Sequence, residues 1–454
     1  MLLFCWSHQA ALQLSGFADD LGLLADLPQR AVQGTLLADL HAKWIGALWP
    51  GSTMWRPLPY SSFALDAAMW GNAPGGWRIS NLLLHVAAAV FTGLIAARLT
   101  GAKLAGAAAF ATLLLAPWSP EVTLWLVGRF DGWATFAIVL SLWAALKSCG
   151  ADRWLLVSLM AAAAAYMSKE SALILPLWIA LMVSLQVLAA NTAQQSSSVG
   201  IARAVLRRHG LLILLHVVLA AAYVVWRTYL FSGQAIAVYA SAPEYRVLPL
   251  LARMLAHLAF PVALAPLAPL AAAVAATIGA VCLVLAARGD RRSVALVGAG
   301  MSLSVVVAVA IYFANPPREG EGYRLYYLAT VGLALIVAAA IKISNKSTLA
   351  LLLVFMSALA IWQSSVAAEW TRASRTVDGA SRSMTSAATT LSPSEFGLVL
   401  LPDLMGHVPV ARNAQGALLT SKNGSSPARD FFIIFTPPQL PEWHQLAQED
   451  VVAK

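Results

Sequence analysis

Long apolar runs separated by short polar segments make up most of the chain. A helix needs about 20 mostly apolar residues to cross the hydrocarbon of a bilayer, and about 17 at the short end. On that measure the pattern predicts membrane-spanning helices near 80–98, 104–118, 132–147, 153–167, 171–190, 210–228, 266–287, 293–313, 323–342 and 348–366. The opening run, residues 1–14, makes an eleventh, short and carrying His8 and Gln9. It lacks the basic start and small-residue cleavage site of a secretory signal. The stretch 247–266 carries Arg253 and His257 and fits either a helix lying in the interface or an ordinary span with a shifted neighbour. The chain therefore reads as an all-α polytopic membrane protein with about eleven transmembrane helices.

Basic residues assign the sides. Alternate short connections hold Arg98 and Lys103; Lys147 and Arg153; Arg203, Arg207 and Arg208; Arg288, Arg291 and Arg292; and Lys342 and Lys346. Short loops rich in Lys and Arg stay in the cytoplasm. Residues 15–79, 119–131, 168–170, 229–246, 315–323 and everything after 366 then lie outside. The expected organisation is a membrane core at 1–366 with a long first extracytoplasmic loop at 15–79. A small extracytoplasmic α/β segment follows at 367–454, where "FGLVLL" and "DFFIIF" read as short strands between turn-forming residues.

Composition agrees. Of 454 residues 59% are hydrophobic and 11% charged, against roughly 25% charged in soluble domains. The excess of 30 Lys and Arg over 21 Asp and Glu is a topology signal here, and it does not suggest nucleic acid. Cys5, Cys149 and Cys282 lie in or beside apolar segments without C-x-x-C spacing, which speaks against a disulfide framework or a zinc site.

The span interiors hold few ionisable groups beyond His85 and His216. Charge collects instead on the outer side: Asp19, Asp20, Arg56, Asp66 and Arg78; Glu121, Arg129 and Asp131; Lys169 and Glu170; Arg318, Glu319, Glu321 and Arg324. Transporters keep such groups near the bilayer midplane, so this distribution favours chemistry at the interface. "SKE", at 168–170, sits between two apolar runs. Its charges either reach water by snorkelling or need partners or an anionic ligand. Arg324, with Tyr323, Tyr326 and Tyr327 around it, fits an aromatic belt with one snorkelling arginine, or a guanidinium clamp on a phosphate. "FADD", at 17–20, is a solvated loop start, or a carboxylate pair in which a raised pKa makes a proton acceptor near neutral pH.

Several stretches together resemble GT-C membrane glycosyltransferases, in particular the TMTC-type protein O-mannosyltransferases and their bacterial relatives. They are "WRPLPYSSFALDAAMWGNAPGGWRISNLLLH" at 55–85, "APWSPEVTLWLVGRFDGWATFAIVLSLWA" at 116–144, "YMSKESALILP" at 166–176 and "YRLYYLATVGLAL" from 323, with "FADD" where those enzymes keep an acidic motif. The resemblance covers about the first 340 residues. It departs at the end: TMTC enzymes carry TPR repeats after the membrane part, and the roughly 85 residues here show no TPR pattern.

The resemblance implies a polyprenyl-phosphate-sugar-dependent transferase of the cytoplasmic (inner) membrane, multi-pass, with its active site and C-terminus extracytoplasmic. The donor would be a polyprenyl-phosphate-sugar lipid and the acceptor a hydroxyl of a lipid, glycan or protein. The acidic motif implies a base at Asp19 or Asp20, with Asp20 preferred. Lys169 and Arg324 would bind the donor phosphate, joined by Arg129 and Arg56. Glu170, Glu121, Asp131 and Tyr326 would support them. The sequence has no metal-ligand cluster, and the resemblance leaves divalent-metal use open. Other classes that fit the composition are a transporter or flippase for lipid-linked sugars and a polysaccharide polymerase or ligase.

Overall fold

A computed structural model describes residues 4–5, 8–49, 51–148, 152–190, 198–232, 290–312, 324–341, 346–388, 397–402, 404–405, 408–410 and 431–436. The expected span at 266–287, the 247–266 stretch and the charges Arg318, Glu319 and Glu321 lie outside these residues.

The first long loop is largely helical. Helices α1 (Asp19–Val32), α2 (Leu36–Trp44) and α3 (Pro57–Trp70) fill most of it. Leu23, Leu27, Tyr60 and Phe63 bury their side chains with Trp77, Leu126 and Phe130, so this region is packed onto the membrane helices instead of lying open to solvent.

Next come α4 (Pro74–Thr100), α5 (Lys103–Leu114), the single turn α6 (Ser119–Thr123), α7 (Arg129–Lys147), α8 (Arg153–Tyr166), α9 (Leu175–Ala190) and α10 (Ser198–Leu230). The bundle closes with α11 (Asp290–Tyr312), the short α12 (Arg324–Tyr327), α13 (Ala329–Ala340) and the 43-residue α14 (Lys346–Ala388). Local rules explain several boundaries. Pro74 opens α4 in the first turn, where its missing N–H costs nothing. Asp152 caps α8 by accepting from the backbone N–H groups of Trp154 and Leu155 at 3.0 and 2.9 Å.

Among the described residues, five stretches are long and apolar enough to cross a membrane: Pro74–Thr100, Leu126–Lys147, Glu170–Leu188, Ala202–Leu230 and Leu352–Met384. The protein is a multi-pass membrane protein. Four further expected spans correspond to shorter apolar helices of 10–17 residues, at Lys103–Leu114, Arg153–Tyr166, Ser293–Ala308 and Ala329–Ala340. The opening run ends in a 3-10 turn at Ala11–Gln13. Nine of the eleven expected spans therefore have an apolar helix among the described residues, and 266–287 lies outside them.

Helix α5 stops short of Pro117, which has no N–H to extend the ladder, and side chains satisfy the carbonyl left at its end. Leu114 accepts from Nε2 of His85 at 3.1 Å and from Nε2 of Gln363 on α14 at 2.8 Å. Backbone that leaves a helix inside a membrane protein is tolerated where protein groups satisfy it in this way. Helices α4 and α5 pack at Gly93 and Gly106, where a Cβ on either glycine would come within 2.8 Å of the other's carbonyl oxygen.

Helix α14 runs unbroken through residue 366, where the composition turns polar. Beyond it both strands expected from the sequence form. β1 (Gly397–Pro402) is followed by the antiparallel pair β2 (Leu404–Met405) and β3 (Val408–Pro409), and β4 (Phe431–Thr436) lies parallel to β1 with Val399 opposite Ile433.

The alternation of helix direction sorts the charges. The starts of α4, α7 and α12 and the ends of α8 and α10 meet at one end of the bundle. Arg98, Lys147 and Arg153 sit at the opposite ends of α4, α7 and α8, and Lys103 opens α5 close to Arg98 in the chain.

Candidate functional site

The chain between α5 and α7 reverses direction at the charged end. A Cβ on Gly128 would lie 2.2 Å from the carbonyl oxygen of Glu121 and 2.8 Å from Cα of Val122, so only glycine lets these strands of backbone touch. The fold-back brings Glu121 and Asp131 within reach of one guanidinium. Arg324 Nη1 lies 2.5 Å from Glu121 and its Nε 3.9 Å from Asp131. The other oxygen of Asp131 lies 2.5 Å from Lys169 Nζ. Burial lowers the Lys169 pKa; Asp131 opposes that shift, and the nearby Arg56 and Arg324 add to it.

One residue on, Glu170 joins two arginines. Its carboxylate lies 2.9 Å from Arg56 and 2.8 Å from Arg227, and all three side chains are buried. Arg227 also donates to the carbonyl of Thr53 and to the Tyr223 hydroxyl. Tyr326 is buried on α12, and the neighbouring Tyr327 is hydrogen-bonded through its hydroxyl to His85 at 2.7 Å. Among the described residues, four cations (Arg56, Lys169, Arg227 and Arg324) thus meet three carboxylates (Glu121, Asp131 and Glu170). Arg324 is the most exposed of the seven, at 26% of its side chain.

Arg129 is employed differently. Fully buried, it pairs with Asp66 at 2.5 Å and donates to Oδ1 of Asn81 and to the carbonyl of Trp77, both at 2.6 Å, tying α7 to α3 and α4.

The two aspartates also part company. Asp20 is fully buried, and its two oxygens accept the backbone N–H groups of Leu126 and Val127, each at 3.1 Å. Burial pushes its pKa up to about 7, with Arg78 and the two N–H groups opposing. Asp19, at the first position of α1, is half-buried. The turn before them is strained: Ala18 has φ 39° and ψ −118°, a conformation that costs a non-glycine residue roughly 1–3 kcal/mol. The Trp125–Val127 segment joins this pair to the cations, because the Arg324 guanidinium lies 4.5 Å from the centre of the Trp125 ring.

Of the residues expected from the sequence, Arg324, Glu121, Asp131 and Lys169 therefore form one ion-pair group, and Glu170 with Arg56 forms a second beside it, joined through the adjacent backbone of Lys169 and Glu170. Asp20 stands one backbone turn away, and Arg129 belongs to a separate pair. The sequence reading did not single out Arg227, because an arginine ending an apolar run looks like an ordinary interfacial group. Among the described residues no three His, Cys, Asp or Glu side chains converge as a metal site.

The bundle, charged at one end, has a counterpart among solved structures. Its fold is similar to ArnT from Cupriavidus metallidurans bound to undecaprenyl phosphate, with a TM-score of 0.55 at 11% identity over 99% of this chain and 86% of that one. The apo state of the same protein gives 0.51 at 14% identity, over 90% and 81%. In sequence, 172 residues (37% of the chain) are 28% identical to Protein O-mannosyl-transferase Tmtc1 of Drosophila melanogaster, and the match spans 19% of that protein's length. No family model matches the chain. The resemblance drawn from the sequence motifs holds at the level of the fold.

Proposed function

We propose that the protein is a glycosyltransferase that moves a sugar from a polyprenyl-phosphate-linked donor to a hydroxyl of a lipid, glycan or protein, at the extracytoplasmic face of the cytoplasmic membrane. The observation that carries this is the gathering of Arg56, Lys169, Arg227 and Arg324 at one end of the bundle, held among the described residues by Glu121, Asp131 and Glu170, with two arginines on Glu170 alone. Cations held this close to hydrocarbon call for anionic partners. A phosphate at the membrane surface meets that need while its isoprenoid tail stays among the helices. The undecaprenyl phosphate bound to the similarly folded ArnT is a ligand of that class.

In this reading a carboxylate removes the acceptor hydroxyl proton as its oxygen attacks the anomeric carbon. The bond from that carbon to the phosphate oxygen breaks, and polyprenyl phosphate leaves with the charge. Arg324 and Lys169 stabilise that charge from fixed positions. Asp19 is the better placed base, since Asp20 spends both oxygens on backbone N–H groups. We assign Asp20 to holding the Trp125–Val127 turn and Arg129 to bracing α7. We take 1–366 as the membrane core and 367–454 as its extracytoplasmic addition.

The test is mass spectrometry of envelope glycolipids and glycoproteins from cells with and without the gene, followed by transfer assays on the purified protein. A polyprenyl-phosphate sugar should accumulate in the deletion strain. Unchanged lipid-linked sugars and glycans would sink the proposal.

A further inference from the structure

The far end of the chain returns to the turn that carries Asp19 and Asp20. The N–H of Asp20 donates to the carbonyl of Phe17 at 2.7 Å, closing a tight turn with Ala18 in its first central position. The φ and ψ of Ala18 are those of a type II′ turn, which glycine adopts readily and alanine resists. A side chain persists there only where its surroundings over-determine the backbone, and those surroundings come from residues 370–410. The Ala18 N–H donates to the carbonyl of Val410 at 3.0 Å. The Ser15 N–H donates to Oγ of Ser374 at 2.8 Å, and the Ser15 hydroxyl to Asp378 at 2.5 Å. Phe17, fully buried, meets the Trp370 ring edge-on at 5.2 Å. Arg78 completes the enclosure by donating to the carbonyls of Leu14 and Ser15, in the field of both Asp20 and Asp378.

We propose that Trp370, Ser374, Asp378 and the Val410 carbonyl are a clamp of positioning residues that holds the 15–20 turn so that Asp19 faces the acceptor. The clamp rests on the reading of Asp19 as the base of sugar transfer. It gives the polar end of the chain a part in the chemistry, exerted through backbone and not through contact with substrate. Its targets also explain why α14 runs on past residue 366: Trp370, Ser374 and Asp378 recur at spacings of four, which puts them on one helix face.

The full-length protein in nanodiscs is compared with a Ser374→Ala/Asp378→Ala double variant, an Asp378→Asn variant, and the double variant carrying Ala18→Gly. Hydrogen exchange of the peptide covering 14–21 should speed up about tenfold or more in the double variant. Its kcat should fall by about 10- to 100-fold while KM for the donor stays within about twofold, since a carboxylate misplaced by an ångström costs rate and not donor affinity. Asp378→Asn should retain much of the activity. Ala18→Gly should restore part of kcat, because glycine needs no clamp. Unchanged exchange overturns the clamp, and faster exchange at unchanged kcat overturns its part in positioning. Should the unaltered protein transfer no sugar at all, the transferase reading fails while the exchange comparison still decides whether the clamp exists.

Discussion

Arg324 lies over the indole of Trp125, 4.5 Å from guanidinium carbon to ring centre, and the next two backbone N–H groups, those of Leu126 and Val127, grip the carboxylate of Asp20. One three-residue segment thus ties an acidic turn to a cationic cluster. In the proposed reaction a proton leaves at one and negative charge builds at the other, so their relative placement sets the rate.

Arg324 should therefore be the most sensitive cation to change. It is the most exposed of the four, and it touches Glu121, Asp131 and Trp125 at once. Arg324→Ala should lower kcat by about 100-fold or more, in the range seen when one preorganised donor to a developing anion is lost. Arg324→Lys keeps the charge but gives up the planar stack and the fork, so it should recover only part of the rate. Steady-state transfer with a polyprenyl-phosphate-sugar donor measures both, and equal activity of Ala and wild type would remove Arg324 from the site.

Glu170→Gln should act first on stability. Arg56 and Arg227 converge on this carboxylate at 2.9 and 2.8 Å, and all three groups are buried. Removing the shared anion leaves buried guanidinium charge uncompensated, which costs about 3–5 kcal/mol. Thermal unfolding in detergent should show a clear drop in Tm, and added polyprenyl phosphate should recover part of it by supplying an anion. A variant as stable as the wild type would mean that the arginines have other compensation.

These relationships were not equally visible in the sequence. Charges at "SKE" and at Arg324 stood out because groups so close to hydrocarbon must be paired or solvated, a rule strong enough to read from local pattern. The partner of Glu170 did not stand out: Arg227 lies 57 residues away in the chain and ends an apolar run as any interfacial arginine does. The end of α5 at Leu114, short of the expected 118, is signalled locally by Pro117, but the Gln363 amide that satisfies its last carbonyl lies about 250 residues later. The difference between Asp19 and Asp20 follows from the backbone of Ala18 and from two N–H groups more than 100 residues away, so adjacent identical letters gave no hint of it. Helicity across 15–79 was missed because short amphipathic helices there carry turn residues and charge that also suit a loop.

Gly128→Ala should abolish activity without touching any charged group. Its Cβ would lie 2.2 Å from the Glu121 carbonyl oxygen, so the fold-back must open. Glu121 and Asp131 would then separate and Arg324 would lose at least one of its carboxylates. We expect lower expression or Tm together with a loss of transfer well beyond tenfold, in line with an overpacked core site costing about 1–3 kcal/mol. Full activity in Gly128→Ala would show that the chain can part here without consequence for the cations.

The buried carboxyl of Asp20 should make the protein less stable as pH rises. Its pKa is pushed up to about 7, chiefly by burial. A group whose proton is held more tightly in the folded state than in the unfolded chain favours folding below the ordinary carboxylate range. It gives that advantage up as pH climbs through the folded-state value. The window runs from about 4, where a free aspartate titrates, to about 7. Arg78 and the N–H groups of Leu126 and Val127 stand against the shift and limit it without reversing it. Tm of the wild-type protein should therefore carry a falling component between those limits, and Asp20→Asn should remove it. Because the asparagine also presents an amide to one of the two N–H groups, its Tm should be lower at acid pH and approach that of the wild type near pH 8. Parallel pH profiles for the two proteins would show that Asp20 titrates as an ordinary carboxyl, and its holding role would have to be argued from the hydrogen bonds alone.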